Sequence, residues 1–453
     1  MKINHTITAI ILLCVCPRMS LMAQADTDIY DIIEAVSSDR IAEDIEKLAG
    51  FGTRHTLSDT LSDTRGIGAA RRWIKLEMEE ISADCGDCLE VYYQRSLVPA
   101  EGNRRIDKDT WVVNVIAIQR GTVHPDRYVI MSGDIDSRIS DPMNATDDSP
   151  GANDNASGMA GVLEAARVLS AYDFPTSIVY VGLSGEEQGL FGGKHMAKVA
   201  REDNWNIVGV LNNDMIGNIE GVDGVIDNRS FRIFSEAVPV NQDEQKRIWY
   251  RFYGGEVDGP SRQLARYIHQ MTSNFMPEMN PQMIYRLDRF GRGGHHRPFN
   301  DEGYAAVRIM ESHENYDRQH QDLRVEDGIK YGDRLDGVNF PYAAKLTAVN
   351  AINLASLAWA PPAPGRVEIG GAVRPSTTLR WEGVKSEDIA GYKVYWRETT
   401  SPQWQYSREV GNVTEYTLTN VVIDNYLFGV AAVSVDGRES LVAYPSTLIP
   451  RRR

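Results

Sequence analysis

Ser177-Ile178-Val179-Tyr180-Val181-Gly182-Leu183 is an almost unbroken apolar run, and it leads directly into Ser184-Gly185-Glu186-Glu187-Gln188-Gly189-Leu190, a polar turn with two adjacent carboxylates. A strand without polar alternation is buried on both faces, as in a parallel sheet covered by helices. Further strand-length apolar runs occur at residues 112–118, 128–132, 207–212 and 305–310. Helical patterns lie between them at 157–171 and 190–200, and an amphipathic helix at 66–81 precedes them. The alternation predicts an α/β domain: a mostly parallel mixed sheet sandwiched by helices.

Acidic residues collect where these strands end. Asp134 and Asp136 follow the 128–132 run, Glu186 and Glu187 follow Leu183, Asp214 closes the 207–213 segment, and His320 comes after the 305–310 run and its loop. In an open α/β sheet the carboxyl ends of the strands face one crevice, so groups distant in sequence can meet there. Between them lies Gly151-Ala-Asn-Asp154-Asn-Ala-Ser-Gly158, a polar turn opening a helix. Carboxylates crowded into one crevice repel one another unless cations balance them. Mixed Asp, Glu and His donors favour zinc or a similar first-row ion over an all-oxygen calcium cage.

Ser-Gly-Asp134-Ile-Asp136-Ser-Arg, Gly-Ala-Asn-Asp154-Asn-Ala-Ser-Gly, Ser-Gly-Glu186-Glu187-Gln-Gly-Leu and Asn-Asn-Asp214-Met-Ile-Gly together resemble the ordered motif set of the co-catalytic zinc aminopeptidase family, clan MH. The resemblance spans about residues 40–355. It implies a bacterial leucyl aminopeptidase-like enzyme with two zinc ions: Asp154 bridging them, Glu187 and His320 on the first, Asp134 and Asp214 on the second. By the same resemblance Glu186 is the general base and Asp136 a supporting carboxylate. Such a pair of ions, about 3.5–4 Å apart, holds a hydroxide and polarises the scissile carbonyl.

The chain departs from the family pattern at two places. Asp134 stands where the family has a histidine ligand, and His295 stands where the family's Asp precedes a histidine, here His296. An Asp can coordinate zinc but adds negative charge, so the second ion is expected to be bound differently, weakly or not at all. One reading makes the two changes reciprocal, with His295 supplying the lost imidazole or an ion-pair partner to Asp134. The other makes His295 and His296 loop residues, one of them contacting the substrate carbonyl. Of the two histidines in 311–322, His320, followed by Asp322, fits the ligand better than His313. His55 and His195 read as surface or helix residues, and Asp147 and Asp148 as solvated loop residues.

Residues 1–25 read as a signal peptide: Lys2, an apolar stretch over 9–16, and Ala23-Gln24-Ala25 as a cleavage site. That predicts export to the periplasm or the extracellular space. The apolar stretch is too short to span a bilayer, which needs about 20 residues. Cys85 and Cys88 then sit in an oxidising compartment and are expected to form a local disulfide. With 48 basic and 63 acidic residues the chain carries a formal charge of -15, which argues against a nucleic-acid or anionic-membrane partner. Peptides are the expected partners.

The peptidase domain is expected over 26–358, followed by a proline-rich linker at 359–366. The tail, 367–453, alternates in the manner of an antiparallel sandwich, and Gly391-Tyr-Lys-Val-Tyr-Trp-Arg397 with Tyr426-Leu-Phe-Gly-Val-Ala-Ala-Val433 resembles a fibronectin type III domain. That resemblance implies an immunoglobulin-like sandwich with a possible role in protein or glycan contact. Two further functions stay open on the same fold. One is a single-zinc, glutaminyl-cyclase-like acyltransferase using Asp154, Glu187 and His320; the other is a peptide- or glycan-binding protein without turnover.

Overall fold

The computed structural model describes residues 27–450 apart from Glu256 and Glu387. The leader and the three terminal arginines lie outside the described residues. The principal sheet has eight strands in the order β1-β2-β4-β3-β5-β8-β6-β7. They are β1 (Leu89–Val98), β2 (Thr110–Gln119), β3 (His124–Asp134), β4 (Thr176–Leu183), β5 (Asn206–Asn213), β6 (Ser230–Ser235), β7 (Asn280–Ile284) and β8 (Ala306–Glu311). The central strands β4, β3, β5 and β8 run parallel. β2 joins them antiparallel on one side and β6 on the other, so the sheet is mixed, as expected.

Alternate residues of the central strands feed two separate cores. Val129, Met131, Ile178, Tyr180, Leu211, Val307 and Ile309 face one layer. That layer is built chiefly by α2 (Ser38–Ala49), α3 (Gly66–Asp84) and α4 (Gly158–Leu169), following a short first helix, α1, at 27–35. Tyr128, Ile130, Val179, Val181, Leu183 and Val210 face the other. There α5 (Glu186–Gly189) leads into α6 (Phe191–Glu202), whose Met196, Ala197 and Ala200 pack against the sheet. Residues Met131 and Ile130 thus lie in different cores although adjacent, the period-2 consequence of a strand covered on both faces.

The remaining helices are α7 (Glu244–Tyr253), α8 (Pro260–Phe275), α9 (His296–Asp301) and α10 (Phe340–Trp359). α10 is almost wholly buried, its apolar residues packed in the first core beside α4. At the crevice the backbone is packed too tightly for a side chain. A Cβ on Gly133 would lie 2.7 Å from the Gly158 carbonyl group, and one on Gly158 would lie 2.4 Å from Asn213 O. Glycine at these positions lets the start of α4 sit against the ends of β3 and β5.

Residues 112–118, 128–132, 177–183 and 207–212 lie within β2, β3, β4 and β5, whereas the 305–310 run is displaced by one residue, β8 spanning Ala306–Glu311. Cys85 and Cys88 form a disulfide at the turn that ends α3. The proline-rich stretch is shorter than read from composition. α10 runs through Trp359, β11 (Gly365–Gly370) begins soon after, and Arg127 donates to the carbonyls of Ala360 and Pro361. No helix among the described residues is long and apolar enough to cross a membrane.

A small hairpin, β9 (Arg324–Glu326) and β10 (Ile329–Tyr331), precedes α10. The tail has β11 followed by β12 (Thr377–Glu382), β13 (Ile389–Glu398), β14 (Tyr406–Gly411), β15 (Glu415–Leu418), β16 (Tyr426–Ser434) and β17 (Thr447–Leu448). These form a four-stranded sheet, β15-β12-β11-β17, and a three-stranded sheet, β14-β13-β16. Val367, Leu379, Trp381, Tyr392, Val394, Phe428 and Val430 fill the core they share.

The two parts meet at a buried ion triad. Asp258 accepts from Arg266 of α8 at 3.0 Å and from Arg397 of β13 at 2.8 and 2.9 Å, and all three side chains are at most 1% exposed. Removing the carboxylate would leave two guanidiniums buried without their counter-ion. Asp258→Ala should therefore cost about 3–5 kcal/mol of stability. The check is the chemical-denaturation midpoint against wild type; an unchanged midpoint would show that the triad contributes nothing to docking.

Candidate metal centre

Because β3, β4, β5 and β8 are parallel, Asp134, the Glu186-Glu187 turn, Asp214 and the loop carrying His320 all leave the sheet at the same edge. The irregular turn 152–157 completes the crevice. Gly151 enters it at φ +52°, where an added Cβ would lie 2.5 Å from both Asp154 O and Ser137 Cβ. The Asp154-Asn155 peptide is cis. Asp333 accepts from the backbone N–H groups of Asn153 and Asp154, at 2.9 and 2.6 Å. Asn155 ties the neighbouring strands together, donating from Nδ2 to Asp134 Oδ2 (2.8 Å) and Asn213 O (2.7 Å) while its Oδ1 accepts from the N–H groups of Gly158 and Met215.

Asp136 anchors the Glu186-Glu187 turn. Its two oxygens accept the backbone N–H groups of Glu186 and Glu187 at 3.1 Å each, and Thr56 Oγ1 donates to Oδ2 at 2.9 Å. A carboxylate at the start of a helix satisfies otherwise orphaned donors and complements the helix dipole. With the backbone so fixed, the adjacent side chains diverge. Glu187 Oε1 lies 2.8 Å from His320 Nε2, and Asp154 Oδ2 lies 3.0 Å from the same nitrogen. The carboxylate of Glu186 has no hydrogen-bond partner among the described residues.

Asp154, Glu187 and His320 are the one group of donors among the described residues close enough to hold an ion, their ligand atoms lying within 4.8 Å of one another. Arg138 secures the arrangement from behind, its Nε donating to Glu187 Oε2 at 2.7 Å and its Nη2 lying 2.7 Å from His320 Nδ1. Gln319 Nε2 donates to Asp154 Oδ2 at 3.2 Å.

Burial alone would raise Glu187 and Asp154, but His320 pulls both below the ordinary carboxylate range. Burial would likewise lower His320, yet the two carboxylates outweigh it and lift the imidazole to about 9. Burial together with Glu187, Asp214 and Asp134 pushes Glu186 well above its ordinary value. Glu186 therefore has a raised proton affinity.

Two expected ligands stand elsewhere. Asp134 does not join the cluster: its Oδ1 lies 2.5 Å from His295 Nδ1 and its Oδ2 is taken by Asn155. Asp214 does not join it either, because its Oδ2 is paired at 2.9 Å with the guanidinium of Arg308. His296, read as a substrate contact, is fully buried with its Nε2 2.7 Å from Leu287 O. His295, read likewise, is equally buried against Asp134. His55, read as a surface or helix residue, is buried between Pro142 O and Gln188 and lies outside the cluster. His313 lies 3.9 Å from Asp227, outside the cluster.

Arg138, Arg308, Asp288, Gln319 and Asp333 were not singled out in the sequence. Arg308 carried a usable signal, a charged residue inside an otherwise apolar strand, which demands a buried counter-ion. Arg138 stands two residues after Asp136, but nothing in its spacing shows which carboxylate it holds.

The sequence comparisons agree with this geometry. A protein of Pyrenophora tritici-repentis named "Probable zinc metalloprotease" is 37% identical over 423 residues, covering 93% of this chain and 98% of its own. A protein of Leptosphaeria maculans, also named a probable zinc metalloprotease, is 40% identical over 421 residues, covering 93% and 97%. Residues 114–331 match the description Peptidase family M28. The chain belongs to peptidase family M28. Among solved structures, this M28 chain is similar to the LapA aminopeptidase of Legionella pneumophila, with a TM-score of 0.52, 17% identity, and coverage of 79% of this chain and 80% of that one. LapB of the same organism gives 0.51, 16%, 73% and 74%. At such identities the likeness is one of fold.

Any cation entering the M28 cluster displaces the proton that Asp154 and Glu187 hold on His320 Nε2. Below about pH 9 that proton competes, so apparent affinity should fall by about tenfold per pH unit as pH drops toward 6. Zinc titration against a chelator from pH 6 to 9 checks this; a flat profile would place the ion away from His320.

Proposed function

We propose that this chain is an exported, zinc-dependent aminopeptidase that hydrolyses N-terminal peptide bonds, with Glu186 as general base. One observation carries the reading: Asp154, Glu187 and His320 converge on a single point, and the next residue in the chain, Glu186, presents a carboxylate without a hydrogen-bond partner among the described residues. The donor set fits zinc, because one ring nitrogen and two carboxylate oxygens are the three protein ligands of a catalytic site that keeps a position open. A zinc ion held there would polarise the scissile carbonyl and acidify a bound water.

The chain's own groups do the rest. Glu186 takes a proton from the attacking water and returns it to the departing amine nitrogen, its proton affinity raised by burial and by the neighbouring acids. Asp136 holds the turn that aims Glu186 and Glu187, and Arg138 occupies Glu187 Oε2 so that Oε1 stays directed at His320. The apolar leader supports export, and the Cys85–Cys88 disulfide is consistent with an oxidising compartment. The tail, read as a fibronectin type III-like module, would serve contact with protein or glycan rather than chemistry.

Purified protein loaded with zinc should release the amine from aminoacyl anilides with a free amino terminus and spare blocked ones. Cleavage of blocked substrates alone would point to another exopeptidase, and cyclisation of N-terminal glutamine without hydrolysis would point to an acyltransferase. Glu186→Gln should lower kcat by roughly 10²–10⁴-fold while zinc content stays unchanged. Wild-type turnover in that variant would remove Glu186 from the mechanism.

A further inference from the structure

The two-ion arrangement that the motif resemblance implies requires donors from Asp134 and Asp214 beside Asp154, and in this chain both are already committed. Asp134 Oδ1 is 2.5 Å from His295 Nδ1, and its Oδ2 accepts from Asn155 Nδ2 at 2.8 Å. Asp214 Oδ2 is 2.9 Å from Arg308 Nη2. Arg308 is fully buried and does not swing freely. Its Nη1 donates to Asp288 Oδ1 and Oδ2 at 3.2 and 3.3 Å and to Gly293 O at 3.0 Å, and its backbone is paired with Asn212 of β5, two residues before Asp214. Guanidinium does not lose its proton in proteins, so a permanent positive charge stands against the carboxylate that a second ion would need.

We propose that this chain works with one divalent ion, held by Asp154, Glu187 and His320, and that Arg308 supplies at Asp214 the positive charge a second ion would otherwise supply. The His295–Asp134 pair closes the remaining donor. Asp at 134 instead of histidine stands 2.5 Å from His295, itself at a position where the family pattern has an acid. The exchange places one imidazole and one carboxylate in contact and withdraws both from metal binding. The inference rests on reading Asp154, Glu187 and His320 as an ion site, and the test separates the two.

The full-length protein, titrated with zinc and followed by native mass spectrometry and elemental analysis, should hold one ion per chain at saturation. His320→Ala should lose that ion, whereas Asp134→Asn should keep it with unchanged affinity. In Arg308→Met the freed Asp214 should admit a second, weaker ion at high zinc. Two ions in the wild type, or loss of the ion in Asp134→Asn, would overturn the single-ion proposal and leave the hydrolase reading standing. No ion at all would overturn both. A folded Arg308→Met protein that holds one ion at every zinc concentration would overturn the charge substitution. Should that variant fail to fold, the wild type and Asp134→Asn decide the matter.

Discussion

Asp134, Asp136, Asp154, Glu186, Glu187 and Asp214 are gathered at one sheet edge, and their mutual repulsion is the constraint the rest of the crevice answers. Two like charges 4 Å apart repel by about 4 kcal/mol at an effective dielectric of ~20. Uncompensated, several such pairs would exceed the net stability of a typical domain. Each acid has its own answer: Asp136 two backbone N–H groups and Thr56, Asp134 His295 and Asn155, Asp214 Arg308, and Asp154 and Glu187 the shared His320. Glu186 alone is left without a partner among the described residues, which is the condition the proposed general base needs.

The framework that brings these acids together was legible because it is written in local pattern. Continuous apolar runs such as 177–183 admit little besides a strand covered on both faces, and the acids at their ends follow from parallel order. Strands β6 and β7 escaped notice because Ser230–Ser235 mixes polar with apolar residues and Asn280–Ile284 contains a proline, and neither announces a period. That Asp154, Glu187 and His320 share one crevice was legible by motif, while the residues that pair with them were not. His55, His295 and His296 are polar residues buried on long-range contacts, and no local pattern distinguishes a satisfied interior imidazole from an exposed one.

The C-terminal sheets are coupled to the crevice through packing rather than chemistry. Arg397 of β13 and Arg266 of α8 share Asp258. At the N-terminal end of α8, Ser261 Oγ donates to Ala306 O at 2.6 Å, at the start of β8, and two residues further along that strand stands Arg308. The tail therefore buttresses the helix that supports the strand presenting the charge opposite Asp214. Among the described residues, those that contact Asp154, Glu187 and His320 all come from the first part of the chain, before β11.

The Asp134–His295 contact shows why the two departures from the family pattern must be understood together. With Asp134 alone, a carboxylate 2% exposed would have only Asn155 to stabilise it, and burial already raises its pKa strongly. With His295 alone, a fully buried imidazole would keep neither ring nitrogen satisfied, since its Nε2 has no hydrogen-bond partner among the described residues. Burial lowers His295 to about 4, and its Nδ1 and Asp134 Oδ1 share one hydrogen bond at 2.5 Å. A single exchange at either position would thus bury an unpaired polar group, at a cost of about 1–3 kcal/mol or more for a charge, whereas with both residues present the two polar groups satisfy each other.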